Sequence, residues 1–139
     1  MINSLRAPIY SYVYNLFYNA VTKQVYPIEI PTTLDAMDAT DFMVIRMGQI
    51  NDKGEFSLEG YADTRVFIEM YVKSKTRGRI DMTAFGSFES KIQVIIDRES
   101  KRTTSPYQVI RDNSISLDDY YQTQSYHVFL TSFIIRINN

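Results

Sequence analysis

The 139-residue chain predicts an α+β fold. The expected form is a mixed, mostly antiparallel sheet with a long protruding β-hairpin and two helices packed on one face. Three observations predict it. Residues 7–21 and 81–98 repeat apolar side chains at helical spacing. Residues 42–50 and 65–73 alternate with the two-residue period of half-buried strands, joined through Asn51-Asp52-Lys53-Gly54-Glu55. Residues 107–117 and 125–137 carry the strand pattern again.

The length suits one domain, residues 1–139, able to bury roughly two-thirds of its unfolded surface. An apolar content of 45% argues for a folded globule rather than extended disorder. Lys and Arg total 15 against 16 Asp and Glu. That balance argues against general binding to nucleic acid or anionic membrane, and leaves little self-repulsion between copies. Cysteine is absent, which removes disulfides, thiolate metal sites and thiol nucleophiles and suits a reducing compartment. Met1-Ile2-Asn3-Ser4-Leu5-Arg6 lacks the apolar core of a signal peptide. No run reaches the ~18 apolar residues of a membrane span, so no membrane partner is expected. Eleven Tyr and 8 Phe with no Trp suit either half-buried interfaces or plain strand positions.

Each element has a local reason. In the first helix Ile9, Tyr12, Val13, Leu16, Phe17, Ala20 and Val21 form the apolar stripe, and Pro8 belongs in a first turn. Ser4 or Asn3 is available as a cap. Tyr10, Tyr14 and Tyr18 form a second stripe, readable as a wider buried face or as a contact with a neighbouring subunit. Residues 24–30 read as a short strand, at a sheet edge because Pro27 cannot donate to a ladder. Asp35, Asp38 and Asp41 follow in a polar loop without the ligand order of a calcium-binding turn, so a solvated loop and no metal site are expected. The hairpin comes next, its pattern loosening around Gly60 as for an arm that has left the core. Lys73, Lys75, Arg77 and Arg79 then put four cations in seven residues, a loop that is either solvated or suited to a phosphate backbone. Asp81 caps the second helix, whose face is Met82, Phe85, Phe88, Ile92, Ile95 and Ile96. Asp118-Asp119-Tyr120-Tyr121-Gln122 separates the two closing strands. The last of these is apolar on both sides, as for a central strand.

Chemistry is sparse. His127 is the single histidine and has no acidic partner at a recognisable spacing. There is no G-x-S-x-G elbow and no phosphate-cradling motif. Asp118 and Asp119, if extended, face opposite ways. The expectation is a protein without cofactor or catalytic site, not an enzyme.

In its order of elements the chain resembles the tail terminator and tail-completion proteins of long-tailed bacteriophages, typified by the minor tail protein U of phage lambda. The likeness rests on an N-terminal helix leading to Val25-Tyr26-Pro27-Ile28-Glu29-Ile30-Pro31, a long hairpin over residues 42–73, a helix over 81–98 and closing strands within 107–137. It spans nearly the whole chain. It implies a structural virion protein of the tail or neck, assembled in the host cytoplasm. Such a subunit forms a homo-oligomeric ring, commonly a hexamer, that joins the tail tube to the head-completion (connector) proteins. The family offers no catalytic residues. Its hairpin takes part in ring or tube contacts, which here would involve Asn51, Asp52, Lys53, Gly54 and Glu55. With DNA in the lumen, Lys73, Lys75, Arg77 and Arg79 would line the passage. The aromatic first helix and the extended closing strands depart from the pattern, and either would also fit a different neck-ring component with a related fold. The alternative is a non-viral cytosolic α/β domain binding a small ligand or a protein, with an orphan hydrolase behind it.

Overall fold

The architecture comes from a computed structural model, which describes residues 5–22, 25–27, 41–53, 61–112, 116–122 and 126–138. Its elements are α1 (Arg6–Phe17), β1 (Val25–Pro27), β2 (Asp41–Lys53), β3 (Tyr61–Lys73), α2 (Met82–Ser100), β4 (Tyr107–Arg111), β5 (Ser116–Gln122) and β6 (Tyr126–Asn138). A short 3-10 turn, Thr76–Gly78, joins β3 to α2. The sheet is mixed, in the order β1-β2-β3-β6-β4, with β5 also on β6. Only β1 is parallel to its neighbour β2; every other pair is antiparallel.

Helix α1 buries Ile9, Val13 and Phe17, as the spacing predicts, but ends at Phe17 instead of near residue 21. Tyr18 turns extended (ψ 130°) and Asn19 is left-handed (φ 64°), a conformation Asn tolerates better than most residues. The Val21 amide then donates to the Phe17 carbonyl at 3.0 Å. Val21 is thereby buried through a turn rather than a helix. Leu5 occupies the cap position and makes no side-chain hydrogen bond there, while Asn3 and Ser4 lie outside the described residues.

The long hairpin is present as β2 and β3, 13 residues each, or roughly 40 Å of strand. Its ladder continues through Asn51↔Asp63, Asp52↔Ala62 and Lys53↔Tyr61. Asn51, Asp52 and Lys53 are therefore strand rather than turn, and Gly54 and Glu55 lie outside the described residues. Nor has this end left the core. Ala62 and Thr64 are each 1% exposed, and β6 flanks β3 along its whole length, from Tyr61↔Asn138 to Lys73↔Tyr126. As far as it is described, the hairpin is part of the sheet, backed by β6 along all of β3, and not a free ribbon. Between Met47↔Val66 and Ile50↔Thr64 two residues, Gly48 and Gln49, stand opposite Arg65: a β-bulge. The Gly48 carbonyl accepts from the Thr64 hydroxyl at 3.2 Å and from Arg6 at 3.4 Å.

The closing region also differs from expectation. The run Asp118-Asp119-Tyr120-Tyr121-Gln122 is part of β5 rather than a separator. With β3 filling one side of β6, β4 and β5 share the other, β4 against Phe133–Ile137 and β5 against His127–Leu130. They act as two halves of one outer strand. β6 is central, as its two apolar faces predict.

Both helices cover one face. Ile9, Val13 and Phe17 of α1 and Phe85, Ile92, Ile95 and Ile96 of α2 join Met43, Val66, Met70, Phe129, Phe133 and Ile135 in a single core. Asp81 caps α2 as predicted, accepting the Ala84 amide at 3.1 Å, but Met82 in the first turn is 70% exposed rather than on the apolar face. No helix of the described residues is long and apolar enough to cross a membrane.

Candidate interaction surfaces

Among the described residues, four regions stand out as surfaces for a partner. The first is the outer margin of β2. β1 pairs with it only at Met43, Val44 and Ile45. Among the described residues, residues 46–53 have no neighbour on that side. An unpaired strand margin presents a row of donors and acceptors ready to add another strand.

The second is the tyrosine row of α1. Tyr10, Tyr14 and Tyr18 follow one another along the helix, Tyr10 tilted against Tyr14 with ring centroids 6.1 Å apart and Tyr14 stacked on Tyr18 at 5.2 Å. Tyr10 and Tyr14 are half-buried against the core, the wider-face reading, and burial together with Tyr14 pushes the Tyr10 phenol above its ordinary pKa. Tyr18 is 43% exposed and continues the row outward. Near it, Ala20, Ser90, Lys91, Val94 and Ile95 line a shallow groove between the end of α1 and α2, with Val94 65% exposed.

The third is the reverse face of the sheet, which divides along the strands. At one end Phe42, Val44, Tyr71, Tyr126 and Val128 form a second, smaller buried cluster with Tyr26 against it. Phe42 stacks on Tyr71 at 4.5 Å and meets Tyr126 edge-on at 5.1 Å. Towards the other end the face turns charged. Arg46 donates to Glu69 at 3.0 Å, Arg65 pairs with Asp112, and Arg136 lies 3.5 Å from Asp63 and over the Tyr61 ring. Ser132 bridges, donating to Asp112 at 3.0 Å and accepting from Arg65 at 3.3 Å. Spacing alone does not reveal this ladder, because each pair joins different strands.

The fourth is the basic loop. Lys73, Lys75 and Arg79 are all exposed, and of Arg77 only the backbone is described. Two neighbours were not apparent from the sequence. Ser74 Oγ lies 2.8 Å from Nδ1 of His127, which is 3% exposed. Asp41 accepts the Lys73 amide at 2.9 Å. Burial raises the Asp41 pKa, the Lys73 amide opposes that shift, and nearby Asp81 adds to it. Among the described residues no carboxylate bonds the His127 ring, the place an orienting acid takes in a catalytic triad. No group of three or more potential metal ligands occurs among the described residues, and Asp35 and Asp38 lie outside them.

One buried carboxylate joins the layers instead of offering itself to a partner. Glu99, 2% exposed, accepts from Tyr12 at 2.6 Å, and Arg98 and Arg102 each donate to it at 3.2 Å. Tyr12 stacks on Tyr107 at 4.7 Å, so α1, α2 and β4 meet here. Burial disfavours the Glu99 carboxylate, but the hydrogen bonds from Tyr12, Arg102 and Arg98 outweigh it and hold the pKa below the ordinary glutamate value. The Tyr12 phenol is driven upward by burial first and by Glu99 second.

Compared with known proteins, the chain matches no protein-family model and no curated sequence.

Proposed function

We propose that this chain is a structural virion protein, a ring-forming tail terminator or neck subunit that joins a phage tail tube to the head-completion (connector) proteins. The observation that carries the reading is the margin of β2. Among the described residues, 46–53 have no strand on their outer side and so offer eight positions for a strand from an adjacent copy. A contact that adds one copy to the next head-to-tail closes into a ring when its rotation permits. Ring contacts of this kind bury more than about 1,000 Å², so the tyrosine row or the reverse face would have to contribute with the strand margin. The phage setting, the copy number near six, the virion location after assembly in the host cytoplasm and the absence of catalysis come from the resemblance in element order.

The small-ligand alternative has less to stand on. Among the described residues, an apolar hollow lined by Ile80, Met82, Phe85, Gly86 and Glu89 holds about 110 Å³, against about 300–1,000 Å³ for ordinary ligand sites.

Native mass spectrometry and negative-stain imaging of the purified chain, alone and with tail tubes, test the proposal. Discrete oligomers and annuli are expected, lost when Gln49 and Asn51 on the β2 margin are both replaced by proline. A protein that stays monomeric at every concentration, and neither forms annuli nor caps tubes when tubes are supplied, would overturn it.

A further inference from the structure

We propose that the turn at residues 74–79 is a phosphate-binding site. In it Lys75 and Arg79 clamp an oxyanion that also takes hydrogen bonds from the Ser74 and Thr76 hydroxyls. Backbone geometry sets this up. The Lys75 amide donates to the Arg79 carbonyl at 2.8 Å and the Gly78 amide donates to the Lys75 carbonyl at 3.0 Å, closing the loop on itself. Gly78 supplies the left-handed residue (φ 72°) that such a closure needs.

Lys75 and Arg79 are therefore partners in an antiparallel bridge. Residues directly opposite in such a bridge project to the same side, their Cβ atoms roughly 5 Å apart, where like charges repel. Two cations placed this way call for an anion between them. Among the described residues the protein supplies none. Lys73, Lys75 and Arg79 take part in no ion pair among the described residues; Arg6 and Lys91 have none either, but they turn to the Gly48 carbonyl and the Phe88 ring, and Arg46, Arg65, Arg98, Lys101, Arg102, Arg111 and Arg136 are all paired with carboxylates. The nearby carboxylates of Asp41 and Asp81 accept backbone amides instead.

The space matches the charge. Ser74, Lys75, Thr76 and Arg79 line an open hollow of about 660 Å³, so two hydroxyl-bearing and two cationic residues border the same void. His127 sits beneath Ser74 and shares its hydrogen bond. When Nδ1 carries the proton it donates to Ser74 Oγ and frees the serine hydroxyl to donate into the hollow. When Nδ1 is bare, Ser74 donates to it and offers only lone pairs. An oxyanion selects the first arrangement, which makes His127 a positioning residue. Phosphate fits the set better than a carboxylate, having more acceptor oxygens for two hydroxyls and two cations. It can come from free phosphate or from the phosphodiester backbone of a nucleic acid. The site asks nothing of the assembly state, so it stands or falls apart from the ring.

The full chain is titrated with inorganic phosphate, followed by amide chemical shifts, and with a mixed-sequence 20-base-pair duplex, followed by fluorescence anisotropy. Phosphate is expected to shift the amides of residues 74–79. Lys75→Glu should weaken binding about tenfold and Ser74→Ala about threefold, while Lys101→Glu, the same charge change elsewhere, should alter it less than twofold. Duplex binding much tighter than phosphate, falling roughly 40-fold between 50 and 200 mM salt for about three phosphate contacts, identifies nucleic acid as the source. Duplex binding no tighter than phosphate identifies the free ion. The proposal is overturned if neither probe shifts those amides, if Lys75→Glu and Lys101→Glu behave alike, or if polyglutamate competes as well as phosphate. Unchanged thermal midpoints for the variants establish that a loss of binding is not a loss of fold.

Discussion

The two faces of the sheet are built on different terms. The helix-covered face is one apolar core reaching from α1 and α2 down to β2, β3 and β6. The reverse face keeps a smaller aromatic cluster at one end and devotes the rest to cross-strand ion pairs. Neighbouring residues of β6 experience both environments: Ile135 is 0% exposed on the helix side, and Ile134 on the reverse side is only half-buried. Hydrophobic area dominates the first face, and on the second the charges are left partly solvated, where each pair contributes little. Stability should therefore be concentrated on one side of the sheet, leaving the other side to tolerate change.

The strongest way to break this contrast is to truncate that neighbouring pair. Ile135→Ala should cost about 2–5 kcal/mol in urea unfolding, and Ile134→Ala less than half as much. Equal costs would mean that the reverse face is as much a core as the helix side.

Glu99 gives the next largest effect. Glu99→Gln should cost about 1–3 kcal/mol at pH 7, because the amide meets Arg98 and Arg102 without a charge. The carboxyl has a lower pKa folded than unfolded, so its stabilisation is full above the unfolded value of about 4.3 and is lost as pH falls through the folded one. Chemical denaturation at pH 7 and pH 3 should show a smaller acid loss in Glu99→Gln than in the parent. An identical acid loss in both would remove Glu99 as the link between the layers.

The smallest effect belongs to the ladder. Arg65→Ala, in a side chain 41% exposed, should cost roughly 0.2–1 kcal/mol and less in 1 M salt. A loss above 2 kcal/mol would show that the reverse face is covered and its charges desolvated.

The division between what was readable in the sequence and what was not follows the range of the interactions. Asp81 as a cap and Ile92, Ile95 and Ile96 as a core stripe depend on residues three or four positions apart, and both are as expected. So is the central place of β6, since apolar side chains on both faces require two covers. The end of α1 was hidden because Ala20 and Val21 keep helical spacing while one left-handed Asn19 redirects the backbone. β5 was hidden because Asp118 and Asp119 are poor strand formers, and only an outer position tolerates them. In the candidate sites, the four cations were visible as a run. The lack of ion pairs at Lys73, Lys75 and Arg79 among the described residues, the bridge that opposes Lys75 to Arg79, and the contact of Ser74 with His127, 53 positions away, depend on the folded sheet.

One consequence of the strand order concerns synthesis. β6 comes last along the sequence yet occupies the middle, so the inner margin of β3 stays bare until it arrives. At roughly 5–20 residues per second, several seconds separate the emergence of those two strands from a ribosome. During that interval a 13-residue margin is open to pairing with any other nascent copy nearby. Chaperone holding, or fewer nascent copies close together, should therefore raise the yield of folded protein.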